Sequence, residues 1–395
     1  MKFNRLEDAK LAGKTALVRV DFNLPRDDKG AVTDDTRLQA ALPTLRALIK
    51  AKAKIVLLSH FGRPKGKVVE SMSLQFVVPL LVEALDCDVS FSDAINPVLA
   101  ETMDSGDILV LENTRFHSGE TEGDAELAKR YAEMGDIFVM DAFSVAHRRH
   151  ATSAVIADYL PAYAGLAMER EIDHISQALD HPKSPVMAVV GGAKVSTKID
   201  LLSNLVEKLD VLFIAGGMAN TFLFAQGHNV GKSLCEKDLK ETALNILTSA
   251  KKANCKVMLP IDGVAATEFK ANPKTRVVGL DDIKPSEMIL DAGPASVEQL
   301  LDAIDDVKTL IWNGPLGAFE MSPFDTSTVE ASKYAAKRVK SGDLIAVAGG
   351  GDTVAALNQS GAADDFTFIS TAGGAFLEWM EGKALPGVEI LKPKS

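Results

Sequence analysis

The sequence predicts an α/β protein of two doubly wound lobes, each on a mainly parallel sheet, joined through a helix. Three observations carry that expectation. Short, near-continuous Val/Ile/Leu runs recur along the whole chain. Helical stretches separate them. A charged, helix-periodic segment near the middle ends against Pro182 and Pro185 and divides the chain into halves of similar size.

In the first half the apolar runs are Ala16–Val20, Lys54–Ser59, Ile108–Glu112 and Ile137–Asp141. In the second they are Val186–Val190, Val211–Ala215, Val257–Pro260, Leu310–Trp312, Leu344–Ala348 and Phe366–Ser370. Runs without polar–apolar alternation mark strands covered on both faces. Between them Asp35–Lys52, Asp124–Met134, Thr197–Lys208 and Thr326–Ser341 read as helices, and strand–helix–strand alternation implies parallel sheets. The connector Ala167–Asp180 stops before His181–Pro182, because proline disfavours helix at the residue preceding it. The expected division is a first lobe over residues 1–170, a connecting hinge over 171–184 and a second lobe over 185–380.

Composition narrows the function. Hydrophobic residues are 47% and charged residues 25% of 395, enough apolar material to exclude disorder over most of the chain. The net charge of −11 argues against duplex DNA or an anionic membrane as partner, while leaving room for a local basic pocket. Cys87, Cys235 and Cys255 are odd in number and far apart, which forms neither a disulfide framework nor a CxxC site and fits a reducing compartment. Met1–Gly13 has no apolar core of a signal peptide, and no apolar stretch reaches membrane-spanning length, so a cytoplasmic protein is expected.

Three glycine clusters follow predicted strands in the second half: Gly191-Gly192-Ala193-Lys194, Gly216-Gly217 and Gly349-Gly350-Gly351-Asp352-Thr353. Glycine lets the backbone approach a ligand, and a helix N-terminus offers free N–H groups to an anion. One such cluster is more often a tight turn; three in one lobe, with lysines and an aspartate attached, point to a nucleotide. A GxGxxG fingerprint is absent, and Gly227–Ser233 has one residue too few between its glycines for a P-loop. Asp352 suits Mg²⁺, which prefers a carboxylate with phosphate oxygens and water, and suits equally a helix N-cap.

In the first half, arginine and histidine gather at predicted strand ends: Arg19–Asn23, Asp34–Arg37, Ser59–Pro64, Glu112–Phe116 and Ala146–His150. Any one arginine is more often a solvated surface group. Together they describe a pocket for a small polyanion, since the guanidinium fork matches carboxylate and phosphate. His147 and His150 lack a Cys or nearby Glu in sequence to complete a metal site.

These residues form motifs in a recognisable order: RVDFNLP (19–25), DDTR (34–37), SHFGRP (59–64), ENTRF (112–116) and AHRRH (146–150). GGAKVSTK (191–198), FIAGGMANTF (213–222), WNGPLGAFE (312–320), AGGGDT (348–353) and EGKALPG (381–387) follow. The set resembles the phosphoglycerate kinase family over essentially the full chain. The resemblance implies two Rossmann-like lobes, the first binding 3-phosphoglycerate or 1,3-bisphosphoglycerate and the second MgADP or MgATP, with the tail 381–395 packing back on the first. It implies phosphoglycerate contacts from Asp21, Asn23, Arg37, His60, Phe61, Gly62, Arg63, Arg115, His147 and Arg148. The implied nucleotide contacts are Gly192, Lys194, Lys198, Gly216, Gly217, Asn313, Pro315, Glu320, Gly349, Gly350, Gly351, Asp352 and Thr353, with Asp352 on Mg²⁺. Arg37, Lys198, Gly373 and Gly374 would act on the transferring phosphoryl group, after the lobes close. The family also implies a monomer. Three places depart from its usual pattern: Ala372 for a third glycine, Phe376 for a small residue, and Ser144-Val145. Two other readings remain on the residues alone, a two-lobed solute-binding protein without catalysis and a nicotinamide-dependent dehydrogenase.

Overall fold

The computed structural model describes residues 1–393, so the last two residues of the expected tail, Lys394 and Ser395, lie outside it. The chain forms two compact units: Met1–Asp173 together with the segment from Ala384 onward, and His174–Lys383. No helix among the described residues is long and apolar enough to cross a membrane.

The first unit is built on six parallel strands: β1 (Thr15–Arg19), β2 (Lys54–Leu58), β3 (Val89–Ser92), β4 (Ile108–Leu111), β5 (Ile137–Met140) and β6 (Ala162–Ala164). Their order is β3-β4-β2-β1-β5-β6. β1, β4 and β5 are buried along their whole length, which is why their sequences run apolar without alternation. The chain leaves β1 toward β2 and returns on its other side at β5, so the loops after β1 and β5 diverge at a switch point, where open α/β sheets bind ligands. The carboxy-terminal segment belongs to this unit: Asn4 N–H donates to the Leu391 carbonyl at 2.8 Å and Gly387 N–H to that of Ala146 at 2.8 Å. Leu385, Val388 and Leu391 are buried there.

The second unit repeats the plan with β7 (Val186–Val190), β8 (Val211–Ile214), β9 (Lys256–Met258), then a separate group, then β13 (Thr309–Asn313), β14 (Ile345–Gly349) and β15 (Phe368–Ser370). The order β15-β14-β13-β7-β8-β9 puts its switch point between β7 and β13. The intervening strands β10 (Asp262–Ala266), β11 (Thr275–Gly279) and β12 (Met288–Ala292) form a small antiparallel sheet that the sequence pattern did not predict. β11 and β12 are partly exposed and broken by polar residues, and β10, though mostly buried, holds only small residues around Val264. The expected strand Phe366–Ser370 begins at Phe368, because Ala363–Asp365 forms a 3₁₀ turn before it. The connecting helix spans Leu166–Leu179.

Candidate active site

In the first unit the predicted arginines and histidines collect on the loops after β1, β2, β4 and β5. Asp21 is their organiser. It accepts from Ser144 Oγ at 2.5 Å, from Asn23 N–H at 3.1 Å and from Arg37 Nη1 at 3.2 Å. Burial opposes ionisation of this carboxyl, but Arg37 and these hydrogen bonds outweigh it and hold its pKa below the ordinary value. Arg37 also donates to the Asn23 carbonyl at 3.0 Å, while its side chain stays 35% exposed and free to meet a ligand.

Asn23 Oδ1 accepts Gly62 N–H at 2.9 Å, and Arg115 Nη1 donates to the Gly62 carbonyl at 2.8 Å. The loop carrying His60, Phe61 and Arg63 is thus held from two sides. Asn113, wholly buried, completes the clamp. It accepts from Phe61 N–H at 3.2 Å and Arg115 N–H at 3.0 Å, and donates to the carbonyls of Phe61 at 2.7 Å and Met72 at 2.9 Å. All four of its hydrogen-bonding positions are used. Arg63 and Arg148 are exposed and have no carboxylate partner among the described residues. His147 is half-buried beside Arg148. Cations without acid partners in an acidic protein make an anion site.

In the second unit the site lies at the β7/β13 switch point. A Cβ on Gly191 would fall 1.9 Å from the Pro315 carbonyl oxygen, so the two loops touch through backbone alone. Lys198 Nζ donates to the carbonyl of Gly191 at 2.6 Å and to Asn313 through both its carbonyl, at 3.2 Å, and its side-chain Oδ1. Burial pushes its pKa down to about 8, with the Asp352 carboxylate opposing. Asn313 Nδ2 donates to the Gly349 carbonyl at 2.7 Å, linking the lysine to the third glycine cluster. There Gly350 has φ of +101° and approaches Asn313 so closely that a Cβ would clash with its amide.

The helix Gly351–Ser360 starts at this cluster, with Gly350 as its N-cap and no side chain capping its first N–H groups. Asp352 is therefore not the cap. It stands exposed in the first turn and borders the cavity described below. Thr353 is buried, and its Oγ1 accepts Gly314 N–H at 2.7 Å, so its side chain braces the loops. The helix Gly373–Met380 begins alongside: a Cβ on Gly373 would sit 3.4 Å from Gly351 N. Two helix N-termini thus converge, a natural anion cradle.

Beside them lies a cavity of about 590 Å³. Gly192, Gly216, Gly217, Pro315, Glu320 and Asp352 border it, as do the apolar Leu234, Phe269, Leu290 and Phe319. Leu234 and Phe269 are 49% and 62% exposed, more than large apolar groups without a partner usually are. An apolar slot opening onto unsatisfied N–H groups suits a flat base with a phosphate chain. Lys194 is exposed next to the lining residue Ala193, whereas Lys198, Asn313 and Gly349, linked by the hydrogen bonds above, do not border the cavity. The apolar wall had no sequence signal, because its residues come from four separate segments. Asn113 was likewise visible only as a member of a motif, and Ser144 only as a departure from the family's usual pattern.

Residues 6–383 match the sequence model of the family described as Phosphoglycerate kinase. A protein of that name from Maricaulis maris is 60% identical over 391 residues, covering 98% of this chain and 97% of the relative. One from Caulobacter vibrioides is 58% identical, covering 99% of this chain and all of the relative. The solved phosphoglycerate kinase from Coxiella burnetii superposes with a TM-score of 0.93 at 40% identity, covering 99% of both chains. That from Pyrococcus horikoshii does so with a TM-score of 0.79 at 29% identity and 98% coverage of both.

Proposed function

The chain belongs to the phosphoglycerate kinase family, and from that membership we propose how its residues divide the family's reaction. The reaction is the glycolytic phosphoryl transfer between 1,3-bisphosphoglycerate with ADP and 3-phosphoglycerate with ATP. The first unit binds the phosphoglycerate through Arg37, His60, Arg63, Arg115, His147 and Arg148. Asp21, Asn23, Phe61 and Gly62 set the loops that carry them. The second unit binds the nucleotide, its base in the apolar cavity and its phosphates on the N–H groups of Gly351–Thr353.

The chemistry asks little covalent work of the protein. In the ATP-consuming direction a carboxylate oxygen of 3-phosphoglycerate attacks the γ-phosphorus. The bond from phosphorus to the β–γ bridging oxygen breaks, and ADP leaves with the electron pair. The nucleophile is already ionised, so no base removes a proton, and no phosphoenzyme forms. What remains is to bind the charge spread over the transferring group. Arg37, Lys198 and the N–H groups of Gly373 and Gly374 take that role. Lys198 is held as a donor to three oxygens and can exchange these for phosphoryl oxygens without leaving its place.

Asp352 fits Mg²⁺: it is an exposed carboxylate on the nucleotide cavity, and no group of three His, Cys, Asp or Glu forms a cage among the described residues. One carboxylate with phosphate oxygens and water is the set Mg²⁺ prefers. The ion would neutralise developing charge on the nucleotide phosphates. The enzyme acts as a cytoplasmic monomer in this reading, in keeping with its free cysteines.

The observation that carries the division is the β7/β13 switch point, where Lys198, Asn313 and two helix N-termini meet beside an apolar slot. The test is a coupled assay with 3-phosphoglycerate, ATP and Mg²⁺. Arg148→Ala should raise KM for 3-phosphoglycerate alone, and Glu320→Ala KM for ATP alone. Effects on the opposite substrates would refute the division.

A further inference from the structure

Arg19, the last residue of β1, is not one of the anion-facing arginines: it is 1% exposed. A buried guanidinium must find acceptors for its donors. Its Nε donates to Thr152 Oγ1 at 3.1 Å, its Nη1 to the Val20 carbonyl at 2.5 Å and its Nη2 to His60 Nδ1 at 3.2 Å. Thr152 in turn bonds Glu120, through Oγ1 to Oε1 at 2.6 Å and through its N–H to Oε2 at 3.1 Å. Glu120 is fully buried. The direction of every bond is forced. Guanidinium has no acceptor, so His60 Nδ1 is the unprotonated ring nitrogen. Thr152 accepts from Arg19, so its own hydroxyl hydrogen goes to the carboxylate of Glu120.

We propose that Arg19, balanced by Glu120 through Thr152, is a positioning residue for the phosphoglycerate site: it locks His60 as the neutral tautomer with its hydrogen on Nε2. The ring then meets an anionic substrate as a fixed donor and not as a titrating cation. This rests on the reading of His60 as a phosphoglycerate contact. The groups facing His60 agree with it. Burial first, then Arg19, Arg115 after β4 and Arg37 at the start of its helix, disfavour the imidazolium; Asp21 alone favours it, and the ring stays well below its ordinary value. Arginines supply the charge of the site at every physiological pH, and a locked neutral histidine keeps that charge constant where an ordinary one would titrate.

Spectra of the full chain with ¹⁵N-labelled histidine test this without substrate, His60 being assigned from His60→Gln. The expected result is an unprotonated Nδ1, a protonated Nε2 and any titration displaced well below the ordinary value of about 6.5. In Arg19→Met the Nδ1 loses its donor and one opposing charge, so the titration of His60 should move upward from its wild-type position, while burial, Arg115 and Arg37 still hold it below the ordinary value. KM for 3-phosphoglycerate should rise about tenfold, as for loss of a hydrogen bond to a charged group. It should also become pH-dependent over the range in which the displaced His60 signals titrate, with KM for ATP unchanged. A purely structural role would lower the folded fraction and leave the His60 signals alone. Thr152→Val, which cuts Glu120 from Arg19, should move the same signals part of the way and serves if Arg19→Met does not fold. A wild-type His60 protonated on Nδ1 or titrating near pH 6.5 overturns the proposal, as does an Arg19→Met protein with unaltered His60 signals. If His60→Gln leaves KM for 3-phosphoglycerate unchanged, the substrate contact and the positioning role fall together, while the tautomer stands or falls on the spectra.

Discussion

Alanine at position 349 would place a methyl carbon 2.4 Å from Cδ1, 2.6 Å from Cγ and 2.7 Å from Cε1 of the Phe376 ring. Ordinary carbon–carbon contact is about 3.5–4.0 Å, so the ring or the loop must move by roughly 1 Å. The ring has no exit, because Phe376 is fully buried. Overpacking of this kind costs about 1–3 kcal/mol. For a unit of about 150–250 residues each kcal/mol lowers Tm by about 2–4 °C, so Gly349→Ala should melt roughly 2–12 °C early. The loop that moves begins the phosphate cradle, so KM for ATP should rise while KM for 3-phosphoglycerate holds. Thermal melts and steady-state kinetics measure both. Phe376→Leu provides the control: in that background the added methyl finds room, and the double-mutant cycle should show coupling of at least about 1 kcal/mol. Wild-type melting and ATP kinetics for Gly349→Ala, or strict additivity in the cycle, would refute the argument that Phe376 seats this loop.

Arg37→Ala should lower kcat by about 10³-fold or more with Tm little changed, by analogy with other phosphoryl-transfer arginines; near-normal kcat would remove Arg37 from the chemistry. Asp352→Asn should raise the Mg²⁺ requirement and KM for ATP. Because Gly350 is the cap, it should not show the stability loss of about 1 kcal/mol that follows removal of a capping aspartate, which a urea titration checks. Lys198 must be an ammonium to bind phosphoryl oxygens, and its pKa is lowered to about 8, so kcat/KM for ATP should fall as pH rises through that value. Lys198→Arg, always charged, should lose that alkaline limb in a pH–rate profile; persistence of the limb would assign it elsewhere.

What was legible in the sequence follows from what each signal measures. Buried parallel strands such as Ile137–Met140 and Val186–Val190 are apolar throughout and announce themselves. The edge strand Val89–Ser92 is partly exposed, and β10–β12 are broken by glycine and polar residues, so they carry no long Val/Ile/Leu run to mark them. The candidate anion site could be drawn from the sequence because arginine at the end of an apolar run is a local anomaly. Arg19 shared that anomaly, yet its burial and its bond to His60, 41 residues away, are tertiary facts. The Lys198–Asn313 bond spans 115 residues and left no mark on either motif. Asp352 shows the limit from the other side: position in the sequence allowed a cap or a ligand, and only the placement of Gly350 separates them.

The first unit is discontinuous in the chain, and this orders its birth. During synthesis the residues of the second unit, His174–Lys383, emerge as one uninterrupted stretch and can close their sheet as soon as β15 is out. The first unit has its sheet earlier but waits for Leu385, Val388 and Leu391, which leave the ribosome after the whole of the second unit. Domains usually finish in the order in which they are made. Here the half that is begun first is sealed last, and the seal is the Gly387–Ala146 bond one residue from His147. A chain that has emerged only as far as Lys383 therefore holds a complete second unit and an unsealed first one.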